Sequence, residues 1–278
     1  HTAGAEHFCK GYKGAKGAAA SSLKDYLSNL PKQVTHFTEG SAEFDEYRDC
    51  ALRDAERSLF LSVSHYRRAL DLMTTGSAPW AHVTLYYGGF YAAQSILTMF
   101  GGWLDLPKVW VDVSAANPTQ QELRIHKKPP PGNKNIRGSH KWFWHLYYLG
   151  CQSIAATVDP PLNFAVLPVQ KDPYWLIDSR NEINYDSYWA FELADGFSKK
   201  FNGATFPACL PGKLNTQYQV AEAMIILACR YAKAFNLGTD AIHILAGAIA
   251  RHESLKQLIY DVVKPELEMK TKKAEVLV

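Results

Sequence analysis

WLIDSRNEINYDSYW, residues 175–189, is the stretch on which the reading of this chain turns. Leu176, Ser179 and Ile183 recur at steps of three and four, which places them on one stripe of a helix. Arg180, Asn184 and Tyr188 form a second stripe at i, i+4 and i+8, flanked by Asn181 and Tyr185. One side of the helix thus gathers a guanidinium, amides and phenols. The guanidinium presents five donors in a fork that suits a phosphate, and amides and phenols can orient an oxyanion or a ribose hydroxyl. The ordinary alternative is a helix whose Arg pairs with a nearby carboxylate while its aromatics pack in a core.

Outward from this stretch the chain reads as helical. The central helix is expected over 173–198. Upstream, Ser41 is an N-cap followed by acidic Glu43, Asp45 and Glu46, and apolar or small residues then recur every three or four positions from Phe44 to Met73. That pattern predicts a helix over 42–74, stopped by Thr74-Thr75-Gly76. Pro79 opens a second helix that is apolar nearly all round, hence central and buried. Its small residues Gly88, Gly89, Ala92 and Ala93 allow another helix to come close. An aromatic-rich third helix starts at Ser139, and two more, over 215–236 and 239–262, read as a C-terminal hairpin joined at Asn236-Leu237-Gly238.

Two regions depart from this pattern. Residues 1–22, rich in Gly, Ala and Lys, read as a mobile arm, followed by a short helix over 22–30 that stops before Pro31. Residues 105–139 carry VWVDV and ELRIH, whose alternation suggests a β-hairpin insertion, and then a loop with Pro129-Pro130-Pro131. From Arg124 to Lys141 there are six Lys or Arg and no Asp or Glu. Lys127, Lys128, Lys134, Arg137 and Lys141 are candidates for tracking a phosphate backbone, against the alternative of a solvated loop. The expected organisation is an arm and short helix over 1–40, a helical bundle over 41–200 with the basic insertion at 105–139, and a helical hairpin over 201–278.

The 278 residues are 47% apolar and 13% aromatic, enough to bury a sizeable core, and the net charge of +3 gives no global polyelectrolyte character. The five cysteines are scattered without a C-x-x-C pair, which points to reduced, mostly buried thiols in a cytoplasmic protein. No run of about 18 apolar residues and no basic-plus-apolar leader occurs, so neither a membrane span nor a signal peptide is expected. No histidine pair has zinc-site spacing, and phosphate-cradling Gly loops and nucleophile elbows are missing from the sequence, so no metal and no cofactor are expected.

Three segments in order, LYYGGFYAAQSIL at 85–97, SHK at 139–141 and the stretch from Arg180 to Tyr185, resemble the HEPN superfamily. The closest likeness is to its branch with YYAAFHAARALL-like, SHK-like and RxxADY-like segments. The resemblance spans about residues 42–200. It implies an up-down bundle of four or five helices, usually a homodimer with two Arg-bearing helices facing each other. Many members are metal-independent ribonucleases of toxin–antitoxin, abortive-infection or other antiviral systems, and others are non-catalytic RNA-binding or adaptor modules. In the nucleases an Arg-x4-6-His motif acts: the Arg stabilises the scissile phosphate, and the His handles a proton as the 2′-hydroxyl attacks.

Here the Arg position is Arg180 and the His position holds Tyr185; no Arg in the chain has a His five to seven residues later. A phenol is a poor base at neutral pH. His140 in the SHK segment is the candidate that takes over the proton, which makes Arg180, Tyr185 and His140 the expected catalytic set. Asn181, Asn184 and Tyr188 are then expected RNA contacts. His65 and His82 sit in apolar helices and read as core histidines. Three functions compete: an RNA-directed protein acting on RNA such as tRNA, a non-catalytic dimerising or docking module whose Arg180 pairs with Asp178, Glu182 or Asp186, and a toxin whose Tyr185 or Tyr188 is modified by an antitoxin partner.

Overall fold

An apolar helix without a polar face has to be enclosed, and the structure encloses one. In this computed structural model, residues 2–12, 14, 22–105, 109–112, 121–127, 136–151, 172–200 and 212–237 are described. Among them are eight helices: α1 (Thr2–Lys10), α2 (Leu23–Asn29), α3 (Ala42–Thr74), α4 (Ala78–Met99), α5 (Ser139–Cys151), α6 (Trp175–Tyr185), α7 (Ser187–Lys200) and α8 (Gly212–Ala234). The fold is mostly helical with a small antiparallel sheet.

Helix α4 is the hub, in contact with α3, α5, α6, α7 and α8. Its adjacent glycines face different neighbours. A methyl group at Gly88 would lie 3.5 Å from the Ser62 carbonyl oxygen of α3, and one at Gly89 would lie 3.5 Å from Ala221 Cα of α8. The expected close approach therefore occurs on two sides. Ser62 Oγ donates to the Gly88 carbonyl at 2.7 Å and Ser95 Oγ to the Ala55 carbonyl at 2.9 Å, which fixes α4 along α3. Helix α3 begins and ends where its cap and its Gly stop predict; Ser41 Oγ accepts from Phe44 N–H, and Gly76 takes a positive φ.

The C-terminal hairpin is only partly described, and its first helix is no peripheral addition. Every residue of α8 from Val220 to Cys229 is buried. It ends as its sequence suggests, with Asn236 at φ 60° and Leu237 N–H donating back to the Ala232 carbonyl. The expected partner helix over 239–262 lies outside the described residues. Glu222 is buried on α8, where Tyr66 Oη of α3 lies 3.2 Å from its carboxylate and 3.2 Å from Tyr218 Oη.

The N-terminal segment departs from the mobile arm expected of it. Thr2–Lys10 is a helix that buries Ala5, Phe8 and Cys9. Their spacing of three and one is helical, and the Gly and Lys content of the following residues hid it. Phe8 sets its ring edge-to-face on Phe44 at 5.9 Å. The sheet has the order β1-β4-β3-β2, with β1 (His36–Thr38), β2 (Trp103–Asp105), β3 (Val109–Asp112) and β4 (Glu122–His126), all antiparallel. The two expected strands pair directly, Val111 opposite Ile125, and short strands flank them on both sides. Phe37 of β1 stacks on Tyr47 of α3 at 4.5 Å, which seats the sheet on the bundle. Cys9, Cys50 and Cys229 are buried free thiols.

The expected long helix over 173–198 is two. Asp186 interrupts it with an extended backbone, keeps a backbone hydrogen bond to Glu182, and accepts from Tyr188 N–H at 3.0 Å as the side-chain cap of α7. The two halves therefore do not share one continuous stripe.

Two outcomes test this packing. Gly88→Ala is expected to be neutral or to stabilise by up to about 1 kcal/mol, since a methyl makes ordinary contact there and Ala favours helix. Gly88→Leu is expected to cost about 1–3 kcal/mol by overpacking, read as urea midpoints at constant m. Burial pushes the Glu222 carboxyl up to about 7 from 4.5, with the Tyr66 and Tyr218 hydrogen bonds opposing. The folded state thus keeps a proton that the unfolded chain releases, so this stabilisation is complete below about pH 4.5 and is lost as the pH rises through about 7. Glu222→Gln is expected to gain on the wild type by on the order of 2 kcal/mol between pH 5 and pH 8, measured by denaturation at both pH values.

Candidate functional site

Three helix segments meet where the phenols of α4 reach the edge of the bundle. Tyr86 and Tyr87 come from the middle of α4, His140 and Lys141 from the first turn of α5, and Arg180, Asn181 and Tyr185 from α6. Leu176, Ile177, Ser179 and Ile183 form the buried face of α6, which turns Arg180 toward the α4 phenols. Ser179 Oγ lies 3.1 Å from Nε2 of the fully buried His82, so that histidine is part of the core, as expected.

Arg180 is held rather than loose. Its Nη2 donates to Tyr87 Oη at 2.7 Å and its Nη1 to Asn181 Oδ1 at 2.7 Å. Its guanidinium carbon lies 5.5 Å from the ring centres of Tyr86 and Tyr87 and 6.0 Å from that of Tyr185, within cation–π range. Burial works against its charge, the Tyr87 hydrogen bond favours it, and the balance moves its pKa above the ordinary value. Among the described residues no carboxylate pairs with it. Asp178, one of three acids that could have done so, instead binds Lys141 Nζ at 2.8 Å.

His140 sits on the other side of Tyr86. Its Nδ1 lies 2.7 Å from Tyr86 Oη, and its ring stacks on Phe90 at 4.7 Å. Trp144 Nε1 donates to the same Tyr86 oxygen at 3.2 Å. Burial, and then the positive charge of Arg180, holds the His140 imidazole below its ordinary pKa of 6.5. It is therefore neutral at neutral pH. Burial raises the Tyr86 phenol, which stays protonated.

The expected residues divide as follows. Arg180, Asn181, Tyr185, His140 and Lys141 are brought together. Asn184 is exposed on α6, and Tyr188 lies across the Asp186 break on α7, so the proposed Arg180–Asn184–Tyr188 stripe does not form as one helical face. Lys141 pairs with Asp178 and lies 5.4 Å from the centre of the Tyr174 ring. Lys127 extends β4 and donates to the Lys32 carbonyl, on the side of the sheet. Arg137 is exposed just before α5. Lys128 and Lys134 lie outside the described residues. Four residues of the cluster were not among the expected site residues: Tyr86 and Tyr87 within the LYYGGFYAAQSIL segment, Trp144, and His65, which is half-buried, stacked on Tyr91 at 5.4 Å and tilted on Tyr87 at 5.7 Å. Tyr86 and Tyr87 stand as adjacent phenols in an otherwise apolar helix, and that was the available signal.

Among the described residues, no three His, Cys, Asp or Glu come together to hold a metal ion, and no helix is long and apolar enough to cross a membrane. No protein-family model, curated protein or solved structure matches this chain.

The coupling of Arg180 to His140 is measurable. Arg180→Gln is expected to raise the His140 pKa toward its ordinary value, since a cation beside it is removed. An NMR titration of the imidazole in both proteins reads it; equal values would mean that the two groups do not sense each other.

Proposed function

We propose that this chain is an RNA-directed protein of the HEPN type and that Arg180 seats a phosphodiester of the bound RNA. One observation carries the reading: Arg180 is part-buried and hydrogen-bonded, yet among the described residues its partners are neutral oxygens and rings rather than carboxylates. Elsewhere the chain treats a buried cation differently. Arg48 on α3 sits between Asp45 at 3.0 Å and Asp49 at 3.6 Å. A partly desolvated guanidinium held by neutral groups is stabilised by an incoming anion, and phosphate matches its fork. The adapter reading required Arg180 to pair with Asp178, Glu182 or Asp186, and no such pair involves it among the described residues.

The up-down HEPN bundle, a cytoplasmic homodimer and a role in a prokaryotic toxin–antitoxin or defence system complete the proposal. Exposed Tyr185, whose ring lies 6.0 Å from the Arg180 guanidinium, and exposed Tyr188, Trp189 and Phe191 on the following helix offer rings for bases or for a second protein, such as an antitoxin. The second reading adds turnover, metal-independent cleavage of RNA such as tRNA. It is favoured by two proton-bearing groups near Arg180: Tyr185, whose ring lies 6.0 Å from the guanidinium, and His140, bonded to Tyr86, over whose ring the guanidinium lies.

The experiment uses the full chain and Arg180→Ala with labelled tRNA and total RNA in EDTA. Wild type is expected to bind and Arg180→Ala to bind about tenfold more weakly, a loss of about 1.4 kcal/mol. Cleavage by wild type alone establishes the ribonuclease reading. Equal binding by both proteins removes Arg180 from the site, and absence of RNA binding by folded wild type overturns the proposal.

A further inference from the structure

Trp144, Tyr86 and His140 form a chain of hydrogen bonds whose direction is fixed by chemistry. An indole N–H can only donate, so Trp144 Nε1 gives its proton to Tyr86 Oη, 3.2 Å away. The Tyr86 side chain is buried on α4, so water does not complete its hydrogen bonding. Its own proton needs an acceptor, and His140 Nδ1 is 2.7 Å from it. The reverse direction would aim two donors at one phenol oxygen and leave the phenol proton buried without an acceptor. Tyr86 therefore donates to Nδ1. A neutral imidazole has one protonated nitrogen, so the proton of His140 resides on Nε2. Among the described residues, no protein group bonds to that nitrogen. Burial, and then the guanidinium of Arg180, 5.5 Å from the Tyr86 ring, disfavours a second proton on the imidazole.

We propose that Tyr86 is a positioning residue that locks His140 as the neutral Nε2–H tautomer, so that His140 serves as a second hydrogen-bond donor to the phosphodiester beside Arg180 and not as a general base. The donor role rests on the proposed seating of a phosphodiester at Arg180; the tautomer does not. A neutral imidazole N–H is a competent electrophile when its environment keeps it neutral. In this arrangement Nδ1 is occupied by the phenol and Nε2 has no lone pair to offer, so deprotonation of a ribose 2′-hydroxyl falls to another group.

The test begins with the RNA-free full chain labelled with 15N-histidine. At neutral pH the His140 spectrum is expected to show an unprotonated Nδ1 and a protonated Nε2. In Tyr86→Phe, which keeps the ring and removes the proton donor, the two tautomers are expected to mix. A protonated Nδ1 in wild type overturns the proposal, and so does an unchanged spectrum in a folded Tyr86→Phe. Should that variant fail to fold, the wild-type spectrum decides alone. The second arm measures binding of a single-stranded oligouridylate. His140→Gln can place an amide N–H near the Nε2 position, whereas His140→Asn places it near Nδ1. Gln is expected to bind within about twofold of wild type, and Asn and Ala about fivefold more weakly. Equal loss in all three overturns the donor role. Absence of oligouridylate binding by wild type overturns it too, together with the RNA reading, while the tautomer stands or falls on the spectrum.

Discussion

The enclosure of α4 governs the rest of the molecule. A helix that is apolar nearly all round gains stability only when each of its sides is removed from water. Side-by-side packing against both α3 and α8 demands that backbones come close, and Gly88 and Gly89 permit it on two different sides. Once α3 and α8 are in place, the remaining sides of α4 must be covered by α5, α6 and α7. The length of α3 follows the same constraint: its Phe44-to-Met73 apolar series runs past the whole of α4 and continues under the sheet, where Tyr47 donates to the Gly101 carbonyl at 2.7 Å.

The candidate site is a consequence of placing two phenols on that hub. Their rings suit the core, but their hydroxyls need partners once buried. Tyr86 is satisfied by Trp144 and His140, and Tyr87 by Arg180. The partners come from α5 and α6, so the hydrogen bonds that satisfy α4 also set the distance between those two helices. The Lys141–Asp178 ion pair joins the same two elements from outside. A guanidinium over the ring and an imidazole at the hydroxyl of one phenol, Tyr86, are thereby held near each other.

What could be read in the sequence depended on whether the signal was local. The bounds of α3 were legible because a Ser cap, acidic first turn and Gly stop are all local, and the small residues of α4 announced close packing for the same reason. The pairing of β3 with β4 followed from alternation, but β1 and β2, three residues each, are too short to carry a period. Asp186 is a good N-cap, yet apolar and aromatic residues continue on both sides of it and concealed the break. The packing of α8 in the core was not legible, since an amphipathic pattern does not say against what a helix packs. At the site, Arg180, Asn181, Tyr185 and His140 stood out by residue type. Tyr86 and Tyr87 did not, because a phenol in an apolar helix looks like any core aromatic until its hydroxyl partner is known. The ion pair of Lys141 was not legible, because its partner, Asp178, lies 37 positions away.

The local charge narrows what the site can hold. Arg180 contributes one positive charge. Lys141 contributes another, but Asp178 lies 2.8 Å from it and cancels it locally. His140 contributes none at neutral pH, because burial and Arg180 both oppose its protonation. Across these four side chains, Arg180, Lys141, Asp178 and His140, the sum is a single positive charge, set beside phenols and the Asn181 amide. A phosphodiester carries a single negative charge, whereas a terminal phosphate near neutral pH carries between one and two. On the proposed reading, with His140 as the second donor, that single charge suits an internal phosphate of a chain better than a free terminal one. Were His140 protonated, the site would carry two positive charges and the preference would shift toward the terminal group. The phenol that holds His140 Nδ1 thus bears on the choice of anion as well as on the position of a proton.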